Sequence, residues 1–388
     1  DMYREIRTVD EWNNINKSLT ENYILMNDID FINNGDKVQI QGTFSGKIKG
    51  NMYSLKNIQL LQKSGIFATI SEYGKIQDLK IDNYQAIGSS VYGIASISKG
   101  EINNVHMSNI TIEKTNDSLS VNDTSAFVNN NYGRIYNSSV TNLEIKNNTL
   151  SSETVAGSMV SRAYGGTIEN CFARNINIDI TNNLSYIGIG GLVGQVQNYD
   201  TQIRNCYVTG NIKTDTEVGG IVGYLQYGDI SNCYANINIE TENSNTGGIV
   251  GNAENQTEVR NTLFLGNIYI NGSTRDVSPI CPNKDFSNNY VYEGVRLDGF
   301  LVDNSNNILS LNELKEKNTY LNTIGLGTQF CYDDISNEEL PLLYKQGTTE
   351  LLPNQEKIFI QVNGDIYIEE INAEKASVNE MQAVITIN

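Results

Sequence analysis

The stretch "GGIVGYLQYGDISNCYANINI", residues 219 to 239, has relatives on both sides of it, and a tandem repeat of this kind constrains a fold more than composition does. Aligning the chain on a branched aliphatic residue followed two places later by Asn or Asp recovers seven copies, "KIQDLKI", "EINNVHM", "RIYNSSV", "TIENCFA", "QIRNCYV", "DISNCYA" and "EVRNTLF". Their anchors are Ile76, Ile102, Ile135, Ile168, Ile203, Ile230 and Val259, so successive steps are 26, 33, 33, 35, 27 and 29 residues. The phase is kept while the spacing varies, which places insertions in loops between equivalent pieces.

A short apolar piece such as "GIFATI", "GGLVG" or "GGIVG" comes before each anchor, and a third, such as "NINIDI" or "GNIYI", follows several of them. Each unit thus offers about three short strands separated by Gly, Asn, Asp or Ser turns. Strands this short cannot bury themselves alone. Coiled once per unit around an axis, they stack in parallel about 4.8 Å apart, and equivalent side chains meet above and below. The expected fold is therefore all-β, a right-handed parallel β-helix. Asp78, Asn104, Asn137, Asn170, Asn205, Asn232 and Asn261 hold one place in every turn and read as an amide ladder. Cys171, Cys206 and Cys233 follow the Asn in three consecutive coils, as reduced packing residues of an interior column. The pairs Gly190-Gly191, Gly219-Gly220 and Gly247-Gly248 open no helix and precede no GK[ST], so they read as corners rather than phosphate loops.

The ends differ from the middle. Residues 1–21 carry a capping box, Thr8 to Glu11, followed by Trp12, Ile15 and Leu19 at helical spacing, and read as an N-terminal cap. Coils fill 22–296. Residues 297–345, with a second box from Ser310 to Glu313 and apolar Leu311, Leu314, Leu321 and Ile324, read as a C-terminal helical and loop cap. Residues 346–388 read as a linker and a small β appendage, or the start of a further module, because "KIFIQVNGDIYIEE" alternates about an Asn-Gly turn signal.

Chemistry is bounded by what the chain can supply. Its 27 basic against 45 acidic residues, a formal charge of −18, argue against nucleic acid. No apolar run approaches the roughly 20 residues of a membrane helix, so direct membrane insertion is not expected. The single histidine, His106, sits in strand-like alternation and would have to serve any His-based metal centre or triad. Five cysteines lack CxxC spacing, and the pairing of Cys281 and Cys331 stays open. No metal ligand set, calcium loop or cofactor motif is present, so no cofactor is expected.

The sentence "GGLVGQVQNYDTQIRNCYVTGNI" resembles the GLUG repeat of bacterial surface proteins, whose Gly-Leu-aliphatic-Gly stands here as "GLVG" once and "GIVG" twice. The entry "IRTVDEWNNI" and the exit "LSLNELKEKNTYLNTIGL" extend that likeness over residues 5 to 345. The resemblance implies a right-handed β-helix in a secreted, wall-attached or phage-tail protein, including the region upstream of some immunoglobulin A metalloprotease domains. Such metalloproteases need an HExxH helix, so no catalytic residue is carried over.

Three functions follow as expectations. The first is a non-catalytic extracellular scaffold or recognition module, an adhesin-like stalk joined to other domains of the same polypeptide, with Tyr199, Tyr224 and Tyr227 placed to stack on a host or cell-surface glycan or protein. The second is a polysaccharide-processing enzyme using carboxylates, for which Asp200 and Asp229 occupy similar turns before their anchors. A trimeric phage-tail receptor-binding component is the third.

Overall fold

The computed structural model describes residues 2–62, 65–89, 91–115, 123–147, 154–181, 188–242, 245–271, 276–302, 307–337, 339–345 and 351, with the backbone of 357–362 and 365–370. It is a parallel β-solenoid of about nine coils. Three sheets run along the rod: one of 20 strands, one of eight from Ile40–Phe44 to Val250–Ala253, and one of seven from Val91–Tyr92 to Val277–Ser278. Among the described residues, antiparallel pairing is confined to the C-terminal part, where Arg296–Leu297 meets Phe300–Leu301, Phe330–Cys331 meets Leu342–Leu343, and Lys357–Val362 meets Asp365–Glu370. An isolated antiparallel bridge joins Tyr344 to Leu351.

The anchors form one interior column. Ile48, Ile76, Ile102, Ile135, Ile168, Ile203, Ile230 and Val259 pair in register from coil to coil, and each is at most 1% exposed. Burying each such side chain is worth about 1.5–3 kcal/mol before chain entropy is set against it. Cys171, Cys206 and Cys233 fill the next inward column as buried free thiols, and each S–H points at the carbonyl two residues earlier, 3.2 Å away. Burial pushes the Cys171 and Cys206 thiols well above their usual range.

Two residues past each anchor the backbone turns through the left-handed region, and this is why Asn recurs there. Asp78, Asn104, Asn137, Asn170, Asn205, Asn232 and Asn261 have φ between 50° and 56°, a conformation Asn and Asp tolerate better than other side chains. Their amides then point along the rod. Asn170, Asn205, Asn232 and Asn261 each donate Nδ2–H to the Oδ1 of the preceding ladder residue at 3.0–3.3 Å. Asp78 suits the first place because it only accepts, taking the Asn104 amide at 2.7 Å. One rung is displaced: the Asn104 Oδ1 accepts from His106 Nε2 at 2.9 Å, and Asn137 donates instead to Asn103 at 3.1 Å.

A second ladder lies five residues further on. Asn57, Asn83, Asn109, Asn142 and Asn175 also have φ of 52–57°. It too begins at an aspartate, with Asn57 bonded to Asp30 at 2.9 Å and Asn83 to Asn57 at 2.8 Å. The run breaks where Asn109 donates to Asp82 at 2.8 Å and resumes with Asn142 on Asn109 at 3.1 Å and Asn175 on Asn142 at 2.8 Å, until Gly210 follows at a register shift.

The N-terminal end is closed by a one-turn helix, Val9–Asn13, whose Thr8–Glu11 box is complete. It lays Trp12 across the first coils, fully buried, with Nε1–H on the Val38 carbonyl at 2.8 Å and edge contacts to Phe31 and Phe67. At the other end the Ser310–Glu313 box forms, but the helical pieces are single turns, Glu313–Lys315 and Thr319–Ile324.

From there the chain turns back along the flank. Lys80, His106, Ser139, Phe172, Tyr207, Tyr234 and Leu263 form one outward column in register, and Lys80 at its start is exposed. The column is buried from His106 on and aromatic or aliphatic from Phe172 on, with Phe172 stacked on Tyr207 at 5.0 Å and Tyr207 on Tyr234 at 4.8 Å. Phe330 covers Tyr234 at 6.0 Å, the Tyr234 hydroxyl donates to the Pro341 carbonyl at 2.7 Å, and the charge of Lys345 acts on His106. Residues 319–337 and 339–345 therefore form a strap over the outside of the rod. Tyr234, the aromatic that follows the last Asn-Cys, is the side chain it grips.

Candidate functional site

Each coil passes from the eight-stranded sheet to the wide sheet through a tight corner just before the anchor. Gly74, Gly100, Gly133 and Gly166 stack at that corner, and a Cβ on Gly100 would lie 2.1 Å from the Gly74 carbonyl oxygen, one on Gly166 1.8 Å from that of Gly133. Only glycine permits this approach. Lys75, Glu101, Arg134 and Gln202 then donate their backbone N–H to carbonyls of the preceding coil, at Gly46, Gly74, Gly100 and Gly166, at 2.9–3.1 Å. The residues ahead of the glycine are thereby held at one corner of the rod.

Those residues are mostly tyrosines. Tyr73, Tyr132 and Tyr227 stand three residues before Ile76, Ile135 and Ile230, Tyr164 and Tyr199 stand four before Ile168 and Ile203, and Lys99 holds the place before Ile102. Tyr73, Tyr132 and Tyr199 are 70%, 45% and 57% exposed, unusual for large rings on a well-packed rod. Tyr132 stacks on Tyr164 with centroids 5.0 Å apart and planes 12° from parallel, and Tyr199 leans on Tyr227 at 4.0 Å. The Tyr199 hydroxyl is held by Tyr227, which raises its pKa. Lys99 lies 5.8 Å from the Tyr132 ring centre. The row spans six coils, about 24 Å at about 4.8 Å per step.

Of the three tyrosines singled out in the sequence, the structure brings Tyr199 and Tyr227 together and sets Tyr224 apart. Tyr224 points from the eight-stranded sheet, in register with Gln195 and Asn252, and donates its hydroxyl to Glu254 at 2.6 Å. Tyr73, Tyr132 and Tyr164 were not singled out. The signal for them was there, as an aromatic three or four residues before the anchor and directly before glycine.

The surface beside the corner is charged but largely paired. Lys75 reaches Glu101 at 3.4 Å, and Tyr136 donates to Glu101 at 2.5 Å while the Arg134 guanidinium lies 4.2 Å from its ring centre. Glu169, 8% exposed in its side chain, is shared by Arg134 and Arg204 at 3.3 and 3.2 Å. Asp200 is exposed in the turn Asn198 organises through its side chain. Asp229 stands in register with Gln202 rather than with Asp200, and its neighbour on the next coil is Glu258. Burial, then Glu258, raises the Asp229 pKa, while Arg260 opposes the rise and pairs with Glu258 at 3.1 Å. Among the described residues, no group of three or more His, Cys, Asp or Glu is arranged to hold a metal ion, and no helix is long and apolar enough to cross a membrane.

Comparison with known proteins places the repeat. Residues 185–213 and 215–240 match the family model of the GLUG motif. No curated protein matches the chain. Similar solved structures include a candidate immunoglobulin A1 protease from Bacteroides ovatus, 15% identical over 82% of this chain and 86% of that one, with a TM-score of 0.40. An IgA1 protease is 17% identical over 66% of this chain and 21% of that one, with a TM-score of 0.39. The chain is a parallel β-solenoid that carries two GLUG-motif units in consecutive coils.

Proposed function

We propose that this chain is a non-catalytic recognition module of a larger, extracellular bacterial protein, and that it contacts a glycan through the tyrosine corner. The solenoid supplies rigidity, since each coil is fixed to its neighbours by backbone ladders and the two asparagine columns. The observation that carries the reading is the row itself: five tyrosines in six successive corners, three of them largely exposed. Aromatic rings offer apolar area at little conformational cost, and a row of them gives the C–H groups of sugar rings a line of contact. The GLUG motif supports a setting within a surface or secreted protein.

The test is a glycan array probed with the wild-type chain and with the Tyr132→Ala/Tyr199→Ala double variant. Binding by the wild type that the variant loses is the expected result. An array silent to the wild type, or signals unchanged in the variant, refutes the reading. The enzyme alternative makes a different demand: degradation of a polysaccharide that is lost in Asp229→Ala.

A further inference from the structure

The row also restricts the form of its ligand, given the glycan reading above. We infer that the ligand is an extended, uncharged polysaccharide lying parallel to the rod axis, one sugar unit to a coil.

The direction follows from the stacking. The tyrosines lie at equivalent corners of successive coils, so the aromatic surface is a line along the axis and not a pocket. Tyr132 and Tyr164 lie nearly parallel and cover one another, as their 12° interplanar angle and 5.0 Å separation show. A single sugar cannot enter between such rings. What the pair presents outward is its edges and rim, while Tyr199 and Tyr227, in contact at 4.0 Å and tilted by 42°, continue the aromatic line further along. A ligand must therefore run over several rings to bury much surface. Coils repeat about every 4.8 Å, close to the length one pyranose unit occupies in an extended chain. A polymer can thus stay in step with the corners over the whole row.

The charge follows from what flanks the row. Glu72, Asp200, Asp229 and Glu254 lie within or beside the corners on a chain of formal charge −18, so a polyuronate or sulfated chain meets repulsion. The arginines nearby, Arg134 and Arg204, are bound to Glu169, and Arg260 to Glu258. Lys99 packs on Tyr132. Hydroxyl groups can bond to Asn, Gln and Tyr side chains in such a setting at no electrostatic cost, whereas a polyanion cannot.

The experiment is titration calorimetry with cello-, manno- and xylo-oligosaccharides of one to eight units, alongside oligogalacturonates and a proline-rich peptide. Affinity for one neutral series should rise by about two- to tenfold per added unit, the worth of one aromatic contact, up to about six units, and then level off. It should barely change with salt. Tyr132→Ala and Tyr199→Ala should each lower hexasaccharide affinity by about the same factor, while Tyr132→Phe keeps it. Both residues are largely exposed, so the fold survives, and circular dichroism checks it. Affinity independent of length would overturn the axial arrangement while leaving glycan recognition standing. Salt-sensitive binding of oligogalacturonate would overturn neutrality. Binding of the peptide alone, or of none of these ligands, would remove both this inference and the reading it rests on.

Discussion

Substituting Asn205 separates the two physical reasons for the ladder. Asn205 is 8% exposed, has φ of 52°, donates to Asn170 at 3.1 Å and accepts from Asn232 at 3.3 Å. Asn205→Ala leaves the fully buried Asn170 with an Oδ1 that has lost its donor, at about 1–3 kcal/mol. It also places a Cβ without a local polar partner in the left-handed region, at about 1 kcal/mol. The expected loss is about 2–4 kcal/mol. Asn205→Gly removes the amide but favours the backbone, so it should fall between Ala and wild type, about 1 kcal/mol better than Ala. Asn205→Asp can accept from Asn232 but turns a carboxylate oxygen on the Asn170 carbonyl, so it should cost as much as Ala at neutral pH despite its shape.

Urea unfolding followed by far-UV circular dichroism measures all three, with Asn142→Ala in the more exposed second ladder as a control. Water can replace the lost bond at that site, so the control should cost less than half as much as Asn205→Ala. The unfolding slope should be unchanged, since the same surface is exposed. If Asn205→Ala stays within about 0.5 kcal/mol of wild type, the ladder is a by-product of stacking and not a source of stability. If Gly and Ala are equally costly, the left-handed turn does not explain the choice of Asn.

Two further outcomes probe the flank and the strap. His106 is buried, donates Nε2–H to Asn104 and accepts at Nδ1 from Ser139, and burial, then Lys80 and Lys345, lowers its pKa to about 3. Because that value lies below the unfolded one, the neutral ring favours the folded state above about pH 6.5. That contribution is lost as pH falls towards 3, by about 1.4 kcal/mol per unit. Its proton resonances should stay constant from pH 8 to pH 5, and a midpoint above 5 in the folded protein contradicts the burial argument. Phe330→Ala, which uncovers Tyr234, should cost about 3–5 kcal/mol of strap docking and make residues 339–345 cleavable by protease while the coils stay protected. Equal cleavage of the coils would show that strap and rod unfold as one unit.

The parallel stack, the anchor column and the first asparagine ladder could be read from the sequence because each repeats in phase with a residue type that has few alternatives. An isoleucine that recurs at one place in every unit has nowhere to go but inward, and an Asn that recurs two places later fits a left-handed turn. The second ladder carries a weaker signal, because Asn follows the first-ladder residue by five only at Asn83, Asn109, Asn142 and Asn175, and Gly210, Ile237 and Gly266 take that place afterwards. Both ladders run through continuous strands such as Lys75–Gly88, so only recurrence in every unit marks such a turn, and the second ladder lacks it. The tyrosine corner was read only in part. Judged one at a time, Tyr224 looks as exposed as Tyr199, and only the distance to the anchor tells a corner residue from one on the sheet. The strap was least legible, since its partners are about 100 residues away, as Tyr234 and Pro341 are, and its short helical turns follow no period of the rod.

Yet half of that contact was written in the repeat. Along one outward column the residues change from Lys80, His106 and Ser139 to Phe172, Tyr207, Tyr234 and Leu263. The column is exposed at Lys80 and buried from His106 on, and an outward column has no reason to turn apolar unless something covers it. On a solenoid each coil tests the same position in nearly the same surroundings, so a change of residue type along a column marks a change in what lies outside the rod. The tyrosine row differs: Tyr73, Tyr132 and Tyr199 stay exposed beside a flank that this chain covers, which is what the proposed glycan contact requires.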